Sequence, residues 1–191
     1  LMQIVTGIML TLVYVPSADQ AYQSLEYLNY VQPLGWYVRA LHDFFANAMV
    51  LMLICHLVQV VIFAAYKYPR ELTWIFGVAL FLCVAAMAFT GQVLRWDQDA
   101  YWGLGIGASM LGRIPLIGPY AVHFMLGGPI IGGETLSRFF TLHVFILPLT
   151  IAGVIAIHVM LVLKNGISDP PKAGRLVNPA TEREDYEKRI S

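Results

Sequence analysis

Three long stretches without a charged residue constrain this chain more than any other feature. They cover residues 44–66, 72–94 and 139–163, and each contains at least 23 residues. At about 1.5 Å of rise per residue, a helix of ~20 apolar residues crosses the roughly 30 Å of hydrocarbon in a bilayer. Residues 1–15 are also uncharged but form a shorter stretch, which we interpret as the end of a longer helix.

The composition agrees with a membrane protein that carries a polar tail. Hydrophobic residues make up 58% of the chain, and nine of its 24 charged residues fall between Lys172 and Arg189. We expect an all-α membrane protein, with a bundle of four transmembrane helices over residues 1–168 and a polar tail over residues 169–191. The expected spans cover about residues 1–15, 35–66, 72–94 and 137–163. The net charge of zero gives no attraction for nucleic acid.

A glycine- and proline-rich connection precedes the last span. Residues 114–133 are uncharged but include five glycines and three prolines, and lipid cannot satisfy the backbone groups that proline leaves unpaired. We therefore predict re-entrant or surface helices at about residues 103–133 instead of a fifth span. With four spans, the second and the fourth run in the same direction.

Four of the five histidines lie on those two parallel spans. His42 and His56 are 14 residues apart, and His143 and His158 are 15 apart. At 3.6 residues per turn each pair falls roughly on one helix face, with its members about 21 and 22 Å apart. His42 should therefore lie level with His143, and His56 level with His158. Two facing imidazoles are the axial ligand set of a b-type haem, so the spacing predicts two haems bound through these four residues.

Glycines and arginines accompany the histidines. Gly77 and Gly91 are also 14 residues apart, and Gly7 lies on the first span; a residue without a side chain lets a macrocycle approach the helix backbone. Arg39 and Arg138 precede His42 and His143 by three and five residues. We expect these arginines to bind haem propionates at the membrane surface.

Several segments resemble the N-terminal half of the cytochrome b family, which serves the cytochrome bc1 and b6f complexes. They are RALH ending at His42, PRELTW at 69–74, FTG-x-x-L-x-WDQ at 89–98, IPLIG at 114–118 and TLSRFFTLH ending at His143. The likeness is stronger to the b6 branch than to the mitochondrial one. It extends to about residue 169.

The resemblance implies an electron-transfer role. The pair His42 and His143 would bind a haem near the positive side of the membrane, and the pair His56 and His158 a haem near the negative side. Quinol would be oxidised near the positive face, and one electron would cross through both haems. Candidates for the quinol pocket are Trp96, Asp97, Gln98 and Thr135, and no catalytic residue is assigned.

The resemblance also implies partners and a location. The chain would form part of a quinol:cytochrome c or plastocyanin-type oxidoreductase, inactive alone, in a bacterial plasma membrane or a thylakoid-like membrane. Expected partners are a separate C-terminal cytochrome b half (subunit IV-like), a Rieske iron–sulfur protein, a c-type cytochrome, the lipid bilayer and a second copy of the complex. In b6-type proteins an additional haem is bound covalently through a cysteine upstream of the residues present here.

This sequence departs from the family pattern at three positions. Arg95 replaces a proline before WDQ, Gln59 replaces an arginine, and Leu163 replaces a mitochondrial histidine. Two other functions stay open: a di-haem anchor of a dehydrogenase or hydrogenase, and a haem-free membrane scaffold or proton relay. The PRELTW, WDQ and TLSRFF segments disfavour the anchor, and the absence of mid-membrane carboxylates disfavours the relay.

Overall fold

The computed structural model describes residues 1–168 together with residues 180, 181, 183, 184 and 187. Within this part of the chain all regular elements are helical, which confirms the all-α class. The helices are α1 (Met2–Thr11), α2 (Ala21–Tyr30), α3 (Gly35–Ile62), α4 (Glu71–Val93), α5 (Gln98–Gly112), α6 (Gly118–Leu126), α7 (Gly133–Thr141), a π-helical turn (Leu142–Ile146) and α8 (Leu147–Asn165). Most of the predicted polar tail lies outside the described residues.

Three helices are long and apolar enough to cross a membrane. They are α3, α4 and the continuous helix of 33 residues that α7, the π turn and α8 form together. The predicted first span is present as α1, which has only ten residues in helical conformation. It ends at Thr11, four residues before Val15, the position at which Pro16 disfavours helical backbone. The count of four spans remains a prediction.

The second span ends earlier than predicted, at Ile62 instead of residue 66. Ala64 adopts a left-handed conformation, with φ of 51°. The N–H of Ala65 donates to the carbonyl of Val60, and the N–H of Ala64 donates to the carbonyl of Val61. These two bonds form a Schellman motif, which satisfies the last carbonyls of the helix and reverses the chain.

The connection between α3 and α4 lies at the same end of the bundle as the C-terminus of α8. Arg70 in this connection donates hydrogen bonds to the carbonyls of Gly166 and Ile167, at 3.1 and 3.0 Å. Because α3 ends here and α8 ends here, the two helices run in the same direction. The helices pack as two pairs, α1 on α3 and α4 on α8.

The best-buried apolar cluster lies at the opposite end. Val93, Leu104, Leu126 and Phe139 come from four different helices and are at most 7% exposed. The helices α5 and α6 pack together here and contact α4 and α7 respectively. The helix α5 begins at Gln98, five residues before the predicted start, because the Asp97 carboxylate caps it by accepting from the N–H of Ala100 at 2.9 Å.

Candidate functional site: paired histidines between two helix pairs

His42 on α3 and His143 on the π turn face each other across the bundle. Their ring centres lie 6.4 Å apart, and the ring planes are inclined by 73°. The described residues of α3 and α8 do not pack closely on each other, whereas α1 with α3 and α4 with α8 do. The two imidazoles therefore meet across a gap between the two helix pairs.

A π turn in the last span explains why its histidine spacing is one residue longer. The turn covers Leu142–Ile146 and contains His143, and Pro148 follows in the first turn of α8. A π turn holds one additional residue without advancing the helix by a full step. The 15-residue interval from His143 to His158 is thus brought close to the 14-residue interval of α3.

Threonine hydroxyls contact both of these imidazoles. Thr6 Oγ1 lies 2.9 Å from Nδ1 of His42, and Thr90 Oγ1 lies 3.0 Å from Nδ1 of His143. Each hydroxyl also lies 2.8 Å from the carbonyl four residues earlier on its own helix, Met2 or Ala86. The hydroxyl proton goes to that carbonyl, since a carbonyl can only accept. The threonine oxygen then accepts the Nδ1 proton of the histidine.

This hydrogen bonding selects the tautomer of each ring. With Nδ1 protonated, Nε2 carries the lone pair and is the nitrogen that can bind a metal. Thr6 is 2% exposed and Thr90 is 5% exposed, so water has little access to compete for these bonds. The arrangement is that of a histidine metal ligand whose second nitrogen is held by a neighbouring acceptor.

His56 and His158 form the second pair, near the other end of the bundle. The two rings are close enough to interact electrostatically. His56 is exposed and His158 is half-buried. Nδ1 of His158 is buried and makes no side-chain hydrogen bond among the described residues, and the backbone of Thr73 contacts this ring, as the backbone of Met87 contacts the ring of His143.

The three predicted glycines each lie against a histidine ring. A Cβ atom built on Gly91 would lie 2.7 Å from Cε1 of His143, and one on Gly77 would lie 3.2 Å from Cε1 of His158. On Gly7 the Cβ would lie 3.4 Å from Cε1 of His42, an ordinary contact. The glycines therefore allow α1 and α4 to approach the imidazoles, most closely at Gly91.

The two predicted propionate-binding arginines differ in their surroundings. Arg39 lies three residues before His42 on α3 and is half-buried. The guanidinium of Arg138 lies over the ring of Phe124, 5.3 Å from its centre, and donates a hydrogen bond to the Phe124 carbonyl. Arg138 is thus engaged with α6 in this structure, and its role toward a propionate stays a prediction.

Three of the four quinol-pocket candidates lie together. Trp96, Asp97 and Gln98 line an open cavity of about 780 Å³. Arg95, at the position of the family's proline, donates to Asp97 at 2.8 Å. The other residues that line the cavity are Tyr22, Asp99, Tyr101 and Trp102.

Thr135, the fourth candidate, lies elsewhere and holds the start of α7. Its side chain is fully buried. Its hydroxyl donates to the carbonyl of Leu126 at 2.6 Å and accepts from the N–H of Gly132 at 3.1 Å. These bonds join α6 to α7 and begin the last span at Gly133, four residues before the predicted start.

The donor set of each histidine pair fits a haem better than a bare metal ion. Among the described residues, no group of three or more histidine, cysteine, aspartate or glutamate side chains could hold a metal ion. Each pair supplies two imidazoles, and a porphyrin supplies the remaining ligands of its iron. His42 and His143 would hold one haem, and His56 and His158 the other.

The sequence interpretation missed Thr6 and Thr90. A signal was present, because each threonine directly precedes one of the predicted glycines, in the repeated dipeptide Thr-Gly. Gly77 is preceded by Phe76 instead, and Nδ1 of His158, the histidine beside Gly77, has no side-chain hydrogen-bond partner among the described residues.

Comparisons of sequence and of structure identify known proteins that are similar to this chain. A family model described as cytochrome b/b6/petB matches residues 1–166. Cytochrome b6 of Prochlorococcus marinus strain MIT 9515 is 41% identical over 170 residues, which cover 89% of this chain and 78% of that protein. Cytochrome b6 of strain MIT 9211 is 40% identical over the same length.

A solved structure has the same fold. A chain of a hyperthermophilic respiratory Complex III superposes with a TM-score of 0.83 at 32% sequence identity. The match covers 94% of this chain and 49% of that chain. The present chain therefore spans about half the length of the solved one.

Proposed function

Because the chain belongs to the cytochrome b/b6 family, we propose that it is the di-haem subunit of a quinol-oxidising complex and carries electrons across the membrane. It is an integral membrane protein of a bacterial or thylakoid-type membrane. Proteins of this family bind b-type haem. The number of haems, the substrate and the direction of electron flow are parts of the proposal.

The observation that carries the proposal is the meeting of His42 and His143. Two residues far apart in the sequence lie level on parallel helices, with ring centres 6.4 Å apart. Metal–imidazole bonds of about 2 Å leave room for one iron between two such rings. The parallel direction of α3 and α8 then brings His56 level with His158, about four helical turns away.

The protein's residues hold and insulate the two cofactors. When bound, a haem iron with two imidazole ligands supplies one-electron transfer. The four histidines fix the position of each iron, and Thr6 and Thr90 orient two of the rings. The glycines at positions 7, 77 and 91 keep α1 and α4 close to the rings, and the apolar helix surfaces keep water away.

The two sites are separated along the membrane normal, so electron transfer between them stores energy. The axial separation along α3 is about 21 Å, most of the roughly 30 Å of hydrocarbon. A full crossing against the membrane potential costs about 2.3 kcal/mol per 100 mV for each charge. We propose that quinol oxidation near the positive face supplies the electron.

We propose the positive face to be the end at which α5 and α6 lie. His42 and His143 are the pair nearer to this end, and the cavity lined by Trp96, Asp97 and Gln98 opens there. This cavity contributes one wall of the proposed quinol site. The other walls of the quinol site would come from a subunit IV-like partner. The electron acceptors would be a Rieske protein with a c-type cytochrome or plastocyanin. A second copy of the complex and an additional covalent haem belong to the same proposal.

The test is a dithionite-reduced minus oxidised visible spectrum of the purified membrane complex, with haem quantified per polypeptide. We expect two low-spin b-type haems for each copy of this chain. One haem or none would refute the di-haem role, and none would favour a haem-free scaffold or proton relay. A second spectrum is recorded with quinol as the reductant, and two haems that dithionite but not quinol reduces would favour the anchor subunit of a dehydrogenase or hydrogenase.

A further inference from the structure

His42 and His143 differ from His158 in the side-chain partners of their second ring nitrogens. In the pair His42 and His143, both Nδ1 atoms bond to threonine hydroxyls, at 2.9 and 3.0 Å. In the other pair, Nδ1 of His158 is buried without such a partner among the described residues. The sequence differs correspondingly, because Thr6 and Thr90 precede Gly7 and Gly91, whereas Phe76 precedes Gly77 beside His158.

A hydrogen bond at Nδ1 changes what a histidine gives to a metal. When Nδ1–H donates to an oxygen, the ring becomes more electron-rich and Nε2 becomes a more basic ligand. A more basic axial ligand stabilises the oxidised iron more than the reduced iron, and so lowers the reduction potential. Burial strengthens the effect, because an electrostatic interaction is screened less away from water.

We propose that Thr6 and Thr90 are positioning residues that lower the reduction potential of the haem held by His42 and His143, through the hydrogen bonds their hydroxyls accept from the two Nδ1 atoms. This inference rests on the proposed di-haem function.

The test replaces each threonine by a residue of similar shape without the hydroxyl. In Thr6→Val and Thr90→Val, potentiometric titration of the intact complex should show one haem with a raised potential and the other unchanged. For each lost bond we expect the reduction equilibrium to rise about threefold to tenfold, where tenfold is ~59 mV for a one-electron couple. Thr6→Val should have the larger effect, since the backbone of Met87 also contacts the His143 ring.

Matched variants separate the hydroxyl from packing. Thr6→Ser and Thr90→Ser retain the hydroxyl and should keep the potential of the parent protein. The converse substitution, Phe76→Thr, places a hydroxyl before Gly77 and should lower the potential of the haem held by His158, with Phe76→Val as its control. These variants keep the test informative if a valine variant fails to bind haem.

The outcomes distinguish this inference from the function on which it rests. If the parent complex contains no haem, the proposed function fails. If it contains two haems and the valine variants leave both potentials unchanged, or shift both equally, the tuning role is refuted. A serine variant with the same shift as its valine counterpart would also refute it, because the shift would then follow from packing.

Discussion

Substitution of Gly91 by alanine tests how closely α4 must approach His143. The added Cβ would lie 2.7 Å from Cε1 and 3.3 Å from Nδ1 and Nε2 of this ring. To restore an ordinary contact of 3.4 Å, the ring or the helix must move by 3.4 − 2.7 = 0.7 Å. Metal–ligand distances normally stay within about 0.2 Å of their reference values, and a shift of this size would move the His143 nitrogen beyond that range, so we expect Gly91→Ala to lose the haem held by His42 and His143.

The stability of the helix should not explain that loss. Alanine favours a helix over glycine by about 1 kcal/mol, while overpacking costs about 1–3 kcal/mol, so the net change in unfolding free energy should be a loss of about 0–2 kcal/mol. Gly7→Ala is the matched control, because its Cβ would meet His42 at 3.4 Å and should leave both haems bound.

The assay is haem content per polypeptide together with a redox titration that resolves the two haems. We expect one haem in Gly91→Ala and two in Gly7→Ala, with both variants present in the membrane at the parent level. If Gly91→Ala retained two haems with unchanged potentials, the close approach of α4 to His143 would be wrong. Equal loss in both variants would also contradict the reasoning, since only one of the two contacts is too short.

Two further substitutions and one deletion test separate parts of the structure. His42→Ala should remove one haem and leave the other, because the two sites lie about four helical turns apart; a spectrum that showed loss of both would contradict independent sites. Thr135→Val should lower the unfolding free energy by about 2 kcal/mol, since it leaves the buried carbonyl of Leu126 and the partly buried N–H of Gly132 without this partner. Thermal unfolding in detergent measures the change, and Thr135→Ser should lose much less. Deletion of Val144, within the π turn, should convert the turn to α-helix and preserve both haems. Deletion of Gly153, in regular α8, should instead rotate His158 by about 100° and lose one haem. Equal haem content in the two deletion variants would refute the role assigned to the π turn.

Local periodicity was enough to predict the helices and the candidate ligands. A long uncharged stretch must pair its own backbone groups in lipid, so residues 44–66, 72–94 and 139–163 had few alternatives to helix. Helical geometry then relates His42 to His56 and His143 to His158, because both partners lie on one helix. The same reasoning placed helices in the glycine- and proline-rich connection. The ends of these elements were less predictable: α3 stops at Ile62 because Ala64 adopts a left-handed conformation, which alanine seldom does.

Contacts between helices needed the tertiary structure. A threonine on an apolar helix can satisfy its hydroxyl on its own backbone, as Thr6 and Thr90 do, so its type does not reveal a second partner. Their bonds to His42 and His143 join residues 36 and 53 positions apart and depend on how each helix is rotated about its axis. The π turn at His143 and the burial of Thr135 between α6 and α7 depend on packing in the same way. Sequence alone determined which residues lie on one helix face, because a single helix sets that relation; which faces meet was decided by the packing of α1 on α3 and of α4 on α8.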